Sequence, residues 1–368
     1  MPDGKISGKQ ATHMMILFLL GSSLVTGGSV TAKQDSWISI LIGMIMAIPV
    51  VLIFANMYKT APGKDLFDMA YMAFGKIGGA IITLLFCIYT LHLGALVIKN
   101  FSEYFQVVTI PETPQLITAL CIGLLAYYNV TKGIEGLGRG AVFIMPITLS
   151  VILLLNALSL KYMDFQNLQP MLNQEPKLIF SSAYSILAFP FAETVMFITV
   201  FSAVETKKSP VKLYLTAAIF SGILLAVLVA VAIMILGLPL ISLLYFPSYA
   251  AAGVIDVGGF LSRVEVLVSG NYIIFGVVKV TVCLFVSCKG VAKLLGVKNH
   301  KLLAAPNITI MVVTSILVYE NTMQMFDFID IYKIYAPFFE LVIPLAILIF
   351  LKNKAKKQSL NYTKQSRS

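Results

Sequence analysis

Two of the ten apolar blocks in this chain are broken in the middle, and that constrains its fold more than any other feature. The first block is interrupted by Gly21-Ser22-Ser23 and then Gly27-Gly28, the sixth by Phe189-Pro190-Phe191-Ala192-Glu193. Pro190 cannot donate a backbone hydrogen bond to the carbonyl of Ile186, and glycines and serines loosen the first block. Inside a bilayer, unpaired backbone is tolerated only where it is buried in protein or lines a cavity. Two breaks at matching places, five spans apart, form the pattern of a transporter-type binding site between two inverted repeats. The chain reads as one that binds a small solute within the membrane.

Composition makes the membrane assignment firm. Of 368 residues 58% are hydrophobic and 12% charged, with a mean hydropathy of +0.90; a soluble domain carries roughly 25% charged residues. Spans are expected near 12–32, 37–58, 78–105, 114–130, 138–160, 179–203, 211–238, 264–288, 302–319 and 334–351, followed by a basic tail over 352–368. Most reach the ~20 residues that cross a ~30 Å hydrocarbon core. No connection is long enough to hold a separate soluble domain, so a single membrane domain over 1–351 is expected. The first apolar run is long, lacks a small-residue cleavage site and is soon followed by another span, so it reads as a retained helix and not a signal peptide.

Lysine and arginine set the expected orientation. With the N-terminus inside, twenty of the 27 basic residues fall on the cytoplasmic side, five on the opposite side, and Lys99 and Lys279 within spans. That asymmetry follows the positive-inside rule and places both termini in the cytosol. The net charge of +10 then reports topology and contact with anionic lipid, and nucleic-acid binding is excluded as a reading. Cys87, Cys121, Cys283 and Cys288 lie in or at the ends of apolar runs without metal-site spacing, and read as small buried hydrophobes. His13, His92 and His300 form no metal motif, and neither a phosphate loop nor a nucleophile elbow is present. No metal, cofactor or enzymatic activity is expected.

The charged residues inside spans carry more information, because each costs a few kcal/mol to insert. Glu193 directly follows the Pro190 break; its carboxylate can take a proton or a cationic group, or can pair with a freed backbone amide. Lys279 lies in the eighth span, and a helix ending near residue 288 places it about 13 Å from the inner end. Its stem can snorkel to the cytosol, or its ammonium can face the break in span one, where a coupling sodium would otherwise sit. Lys99 and Glu103 are spaced i, i+4 near the outer end of span three and read as a structural pair or as a gate. Glu340, shortly before Pro344 in span ten, is open in the same way. The outer segment 240–263 is long enough to form short re-entrant helices that cap a vestibule.

At these residues a family resemblance is visible. The run Gly21-Ser22-Ser23, Gly27, then Ala32-Lys33-Gln34-Asp35-Ser36-Trp37 resembles the opening signature of the endospore germinant-receptor B subunits, the GerAB family of spore germination permeases. Asp164-Phe165, Asn167-Leu168 and Pro170 after span five, Phe189 to Glu193 in span six, and Arg263-Val264-Glu265 before span eight resemble it too. The similarity runs through essentially the whole chain in order; the Lys-Gln-Asp-x-Trp and Asp-Phe-x-Asn-Leu-x-Pro runs are its more specific parts.

The resemblance implies an all-α integral membrane protein of ten transmembrane helices. Its fold is then the LeuT-like 5+5 inverted repeat of the amino acid/polyamine/organocation transporter superfamily, with helices 1 and 6 broken. It implies a place in the spore inner membrane, a small-molecule nutrient ligand such as an amino acid or sugar, and work with an A subunit and a lipid-anchored lipoprotein C subunit. By position, Ser22, Ser23, Gly27 and Gly28 would offer backbone donors to a ligand carboxylate, and Ala188, Phe189 and Glu193 would complete the ligand site. Lys279, Lys99 and Glu103 are the candidates for coupling or gating. No cluster of hydroxyl and carboxylate ligands pairs span one with span eight, which separates this chain from sodium-coupled relatives. The expected role is a germinant-receptor membrane subunit; the alternatives are a proton-coupled amino acid permease and a ligand-gated water or ion pathway.

Overall fold

A computed structural model describes residues 4–25, 30–205, 208–256 and 263–365. The helices are α1 (Gly8–Val25), α2 (Ser36–Thr60), α3 (Leu66–Tyr104), α4 (Gln115–Lys132), α5 (Ile134–Ser159), α6 (Pro176–Ile186) and α7 (Met196–Phe201). They continue as α8 (Pro210–Ile241), α9 (Pro247–Gly253), α10 (Val266–Leu295), α11 (Ala304–Leu317), α12 (Thr322–Pro337) and α13 (Ile343–Gln365). Among the described residues, eight helical stretches are long and apolar enough to cross a membrane. The two 18-residue helices α1 and α4 pack within the same bundle, α1 against α8 and α10, α4 against α10 and α3. They complete ten spans, with α6 and α7 joined as the sixth and α12 and α13 as the tenth.

Burial separates inner from outer spans. In both the sixth span and α10, 83% of the most apolar stretch is buried, against 28% in α5. Met14, Met15, Leu17, Phe18 and Leu19 of α1 are fully covered, and so is every residue of α7. The outward faces of α4, α5 and α8 carry exposed Leu124, Phe143, Leu153 and Ile223, the apolar belt that lipid requires. Cys87, Cys283 and Cys288 are buried, whereas Cys121 is exposed on this belt and departs from the buried-hydrophobe reading.

Local chemistry explains the irregular ends. Asp65 caps α3 by accepting the Asp68 amide at 2.7 Å. The helix then kinks at Gly75, whose φ of +74° suits glycine, and at Gly79 an added Cβ would come 2.6 Å from the Tyr71 Cα. The span read as 78–105 is the part beyond this kink. On the face that carries the termini, Ile6–Ser7 pairs in parallel with Val204–Glu205, and Lys5 forms an ion pair with Glu205. The amino-terminal segment is thereby tied to the end of the sixth span. On the opposite face α9 lies within the long 240–263 connection, and Phe246 just before it packs edge-on to Tyr104 at 5.1 Å.

The two sequence runs most specific to the resemblance meet on that opposite face. Asp35 stands at the N-cap of α2 but does not cap it. Its fully buried carboxylate accepts the Leu172 amide at 2.8 Å and the Gln174 amide at 3.2 Å, and Gln34 donates to the Pro170 carbonyl at 3.1 Å. Asn167 in turn donates to the Met234 carbonyl at 2.9 Å, beside Gly237 (φ +67°), which ends the straight part of α8. The connection after span five is thus a clasp across spans two and seven. Replacing Asp35 by Ala strips two amides of a charged acceptor, and a loss of about 2 kcal/mol of stability is expected. The melting midpoint of the purified protein should fall well below that of a surface control such as Lys177→Ala; an unchanged midpoint would show that the clasp holds nothing.

Candidate functional site

The two interrupted spans meet at one buried ion pair. In α1 the helical course fails at Gly21 (φ −30°, ψ −112°), and a Cβ placed there would lie 3.0 Å from Cδ of Lys279. The absence of a side chain at this position lets α10 approach closely. In the sixth span, a wide π turn over Leu187–Phe191 holds Phe189 in an extended conformation (φ −134°, ψ 108°), followed by a cis Phe189–Pro190 bond and a tight 3-10 turn over Ala192–Val195. Missing helical hydrogen bonds around Pro190 permit this course. Glu193, in the tight turn, accepts from Lys279 Nζ at 2.5 Å, and both side chains are wholly buried. The ammonium also lies over two aromatic faces, 4.5 Å from the Phe189 ring centre and 5.1 Å from that of Phe18.

This excludes the snorkelling course for Lys279. Helix α10 runs to Leu295, seven residues past the expected end, so Lys279 sits deeper than a helix ending at 288 would place it. With 0% exposure its head never reaches the interface.

A second layer of polar groups extends the pair toward the tenth span. The Tyr332 hydroxyl lies 2.9 Å from Glu193 Oε1 and 3.1 Å from Glu340 Oε1. Tyr89 of α3 donates to Glu340 Oε1 at 2.6 Å and lies 2.9 Å from the Tyr332 hydroxyl. Glu340 occupies a second π turn, Phe338–Val342, between α12 and α13. The cluster therefore holds two carboxylates, one ammonium and two phenols from spans three, six, eight and ten.

Of the residues proposed from sequence, the structure brings Glu193, Phe189 and Lys279 together, with Gly21 against the lysine stem. Ala188 is buried in the same turn. Ser22 lies within α1, and Ser23 is buried with its hydroxyl donating to the Leu19 carbonyl at 3.1 Å. Gly27 and Gly28 lie outside the described residues. Lys99 and Glu103 are placed elsewhere, in a separate network near the outer end of α3. Lys99 donates to Gln115 Oε1 at 2.7 Å and stands 3.7 Å from Glu103, which accepts from Gln115 and, at 2.6 Å, from Thr322 at the start of α12. They bind spans three, four and ten together and make no contact with the central pair. Between the two networks lies a cavity of about 30 Å³ lined by Leu96, Asn100, Phe189, Tyr319, Phe328 and Tyr332. That is room for water, not for a nutrient molecule.

Sequence reading missed Tyr89 and Tyr332. Tyr332 belongs to α12, which begins at Thr322, twelve residues before the expected start of span ten. Asp327, Asp330 and Lys333 made this stretch look like a polar loop. The signal that was available is the spacing of Tyr332, Tyr335 and Phe339, which recurs at three to four residues along one helical face.

Comparison with known proteins agrees with this architecture. A family model described as "Spore germination protein" matches residues 5–324. Spore germination protein KB of Bacillus subtilis (strain 168) is 27% identical, covering 97% of this chain and 97% of that protein. Putative spore germination protein YfkT of the same organism is also 27% identical, covering 88% of this chain and 89% of its own. Among solved structures, MhsT in complex with L-phenylalanine superposes with a TM-score of 0.65 at 13% identity, covering 95% of this chain and 99% of that one. A Na+-coupled sialic acid symporter gives 0.66 at 12% identity, covering 94% and 79%. The fold is therefore the LeuT-type transporter fold.

Removing one member of the central pair leaves a buried charge without its partner, which typically costs 3–5 kcal/mol. Glu193→Gln and Lys279→Met should each lower the melting midpoint sharply, and the double variant should recover much of the loss. Additive destabilisation in the double variant would show that the two side chains do not depend on each other.

Proposed function

This chain belongs to the spore germination protein family, and from that premise we propose that it is the membrane subunit of a nutrient germinant receptor. It binds a small nutrient, an amino acid or a sugar, between spans one and six and passes the signal on to germination. One observation carries the reading: the breaks in these two spans converge on Lys279 and Glu193, so that irregular backbone and charge lie together in the middle of the bundle. Half-helix N-termini hold unmet amide donors and partial positive charge, so the amides near Ser22–Gly28 suit a carboxylate, with Ala188, Phe189 and Glu193 on the other side. MhsT, which shares the fold, is known in complex with L-phenylalanine.

In this reading the protein sits in the spore inner membrane with both termini in the cytosol, as the lysine and arginine bias supports. It acts with an A subunit and a lipoprotein C subunit. Lys279 serves as a fixed cation that holds span one against span eight, the position a coupling sodium would take. Lys99 and Glu103, which tie α3 to the start of α12, are the outer gate elements. No step here is catalytic.

The test is a germination assay of a strain lacking the gene, complemented with variants and exposed to a panel of amino acids and sugars. Lys279→Met, which keeps bulk and loses charge, should abolish the response at matched protein level, and Lys279→Arg should be partly tolerated. Gly27→Leu and Gly28→Leu should also abolish it while the protein accumulates. A normal dose–response curve for Lys279→Met removes the cation role, and full sensitivity in both glycine variants removes the ligand site. Reconstituted vesicles with radiolabelled amino acids separate sensing from uptake, the mark of the alternative proton-coupled permease.

A further inference from the structure

The central cluster contains one more negative group than it has cations. Glu193 is matched by Lys279, but Glu340 forms no ion pair among the described residues and is wholly buried. Its Oε1 faces two phenol hydroxyls, and its Oε2 has no hydrogen-bond partner among the described residues. The titratable groups around it are Tyr89 from α3, Glu193 from the sixth span, Lys279 from α10, and Tyr332 and Tyr335 from its own span. His92 of α3 is bonded to the Tyr335 hydroxyl at 2.9 Å. The one ammonium is already held by Glu193.

Two physical limits then apply. An ionised carboxylate buried without a cation costs far more than a neutral carboxyl with one unpaired carbonyl oxygen. And Tyr332 has a single proton, which it can give to Glu193 or to Glu340 but not to both. A proton on Glu340 Oε1 resolves both. Glu340 then donates to the Tyr332 oxygen at 3.1 Å, Tyr332 donates to Glu193 at 2.9 Å, and Tyr89 donates to Glu340 at 2.6 Å, which leaves the 2.9 Å approach of the two phenol oxygens as a contact without a shared proton.

We propose that Glu340 is a proton-binding site, linked through the Tyr332 hydroxyl to the Glu193–Lys279 pair. The ligand is a proton, and the step it allows is a relay. The Glu340 carboxyl gives its proton to the Tyr332 oxygen while Tyr332 gives its own to Glu193. Glu340 ends as a carboxylate, Glu193 as a neutral acid, and the phenol is unchanged, so charge and atoms balance; the negative charge then stands apart from Lys279, which makes this the higher-energy arrangement of the two. Separation of Tyr332 from either carboxylate interrupts the relay, which ties the charge of the broken sixth span to the position of the tenth. The site does not depend on which nutrient the protein binds.

Infrared spectroscopy of the full-length protein in lipid nanodiscs at neutral pH tests this directly. The wild-type minus Glu340→Gln difference spectrum should contain one carbonyl band of a neutral carboxyl, shifted in D2O, and no carboxylate bands. A difference spectrum that shows only carboxylate bands overturns the proposal. If Glu340→Gln does not accumulate, Tyr89→Phe serves instead. Loss of the phenol that donates to Glu340 should move the neutral-carboxyl band without abolishing it, and an unaltered spectrum in that region is equally fatal. Neither measurement involves a nutrient, so failure here leaves the ligand site of the receptor reading untouched.

Discussion

A charge inside a bilayer has to be satisfied by the protein, because lipid will not solvate it, and Lys279 is where this chain meets that requirement most severely. Its ammonium has no exposure, so everything that neutralises it must come from neighbouring spans. Glu193 can reach it only because the sixth span abandons helical geometry at Phe189 and re-enters through a tight turn. The lysine stem passes α1 at Gly21, where an added Cβ would crowd its Cδ at 3.0 Å. Phe18 and Phe189 then close over the cation. The two helix breaks and the ion pair are therefore one structural unit, in which each part makes the others possible. Buried pairs of this kind contribute little net stability compared with apolar packing, and their better attested role is to specify which elements stand together. Here those elements are spans one, six and eight.

The sequence disclosed this unit unevenly. The breaks were legible because Pro190 and the Gly21-Ser22-Ser23 run violate helix chemistry inside apolar blocks, which a reader can see without coordinates. Lys279 and Glu193 were visible as expensive charges, but nothing in their spacing says that residues 86 positions apart touch. Helix ends were the weakest point. The expected end of span eight stopped at the last strongly apolar residues, whereas α10 continues through Lys289 and Lys293, which is what removes Lys279 from snorkelling range. The same error, in the other direction, hid Tyr332: the acidic and basic residues of α12 resemble a loop by hydropathy, yet they form the exposed side of a helix whose other side is Tyr332 and Met325. Hydropathy locates lipid contact, not helical extent.

The motifs that identify the family and the residues that form the centre are largely different sets. Asp35, Gln34 and Asn167, the memorable positions of the two specific runs, spend their polar groups on backbone amides and carbonyls of the outer clasp. They account for how spans two and seven are held and say nothing about what is bound. The family is thus read from architecture-bearing residues, whereas the small central cavity is walled by apolar and aromatic side chains and Asn100, which form no motif of their own.

The tenth span connects these layers. Its first residue in the helix, Thr322, is bonded to Glu103 in the outer network, and eighteen residues later in the same span Glu340 is bonded to Tyr89 in the inner one. Both attachments are to α3. Between them α12 presents Met325, Phe328 and Tyr332 to a cavity of about 30 Å³, too small for any nutrient. Separation of α12 from α3, which line that space, has to undo hydrogen bonds at one end or the other. The outer set is made largely of neutral amide and hydroxyl donors to a carboxylate already balanced by Lys99. The inner set includes a carboxyl that no cation balances. Moving the inner end takes Glu340 from the phenols that hold it and breaks the hydrogen-bonded path to Glu193, whereas moving the outer end breaks the Thr322–Glu103 bond and leaves Lys99 and Glu103 paired on α3.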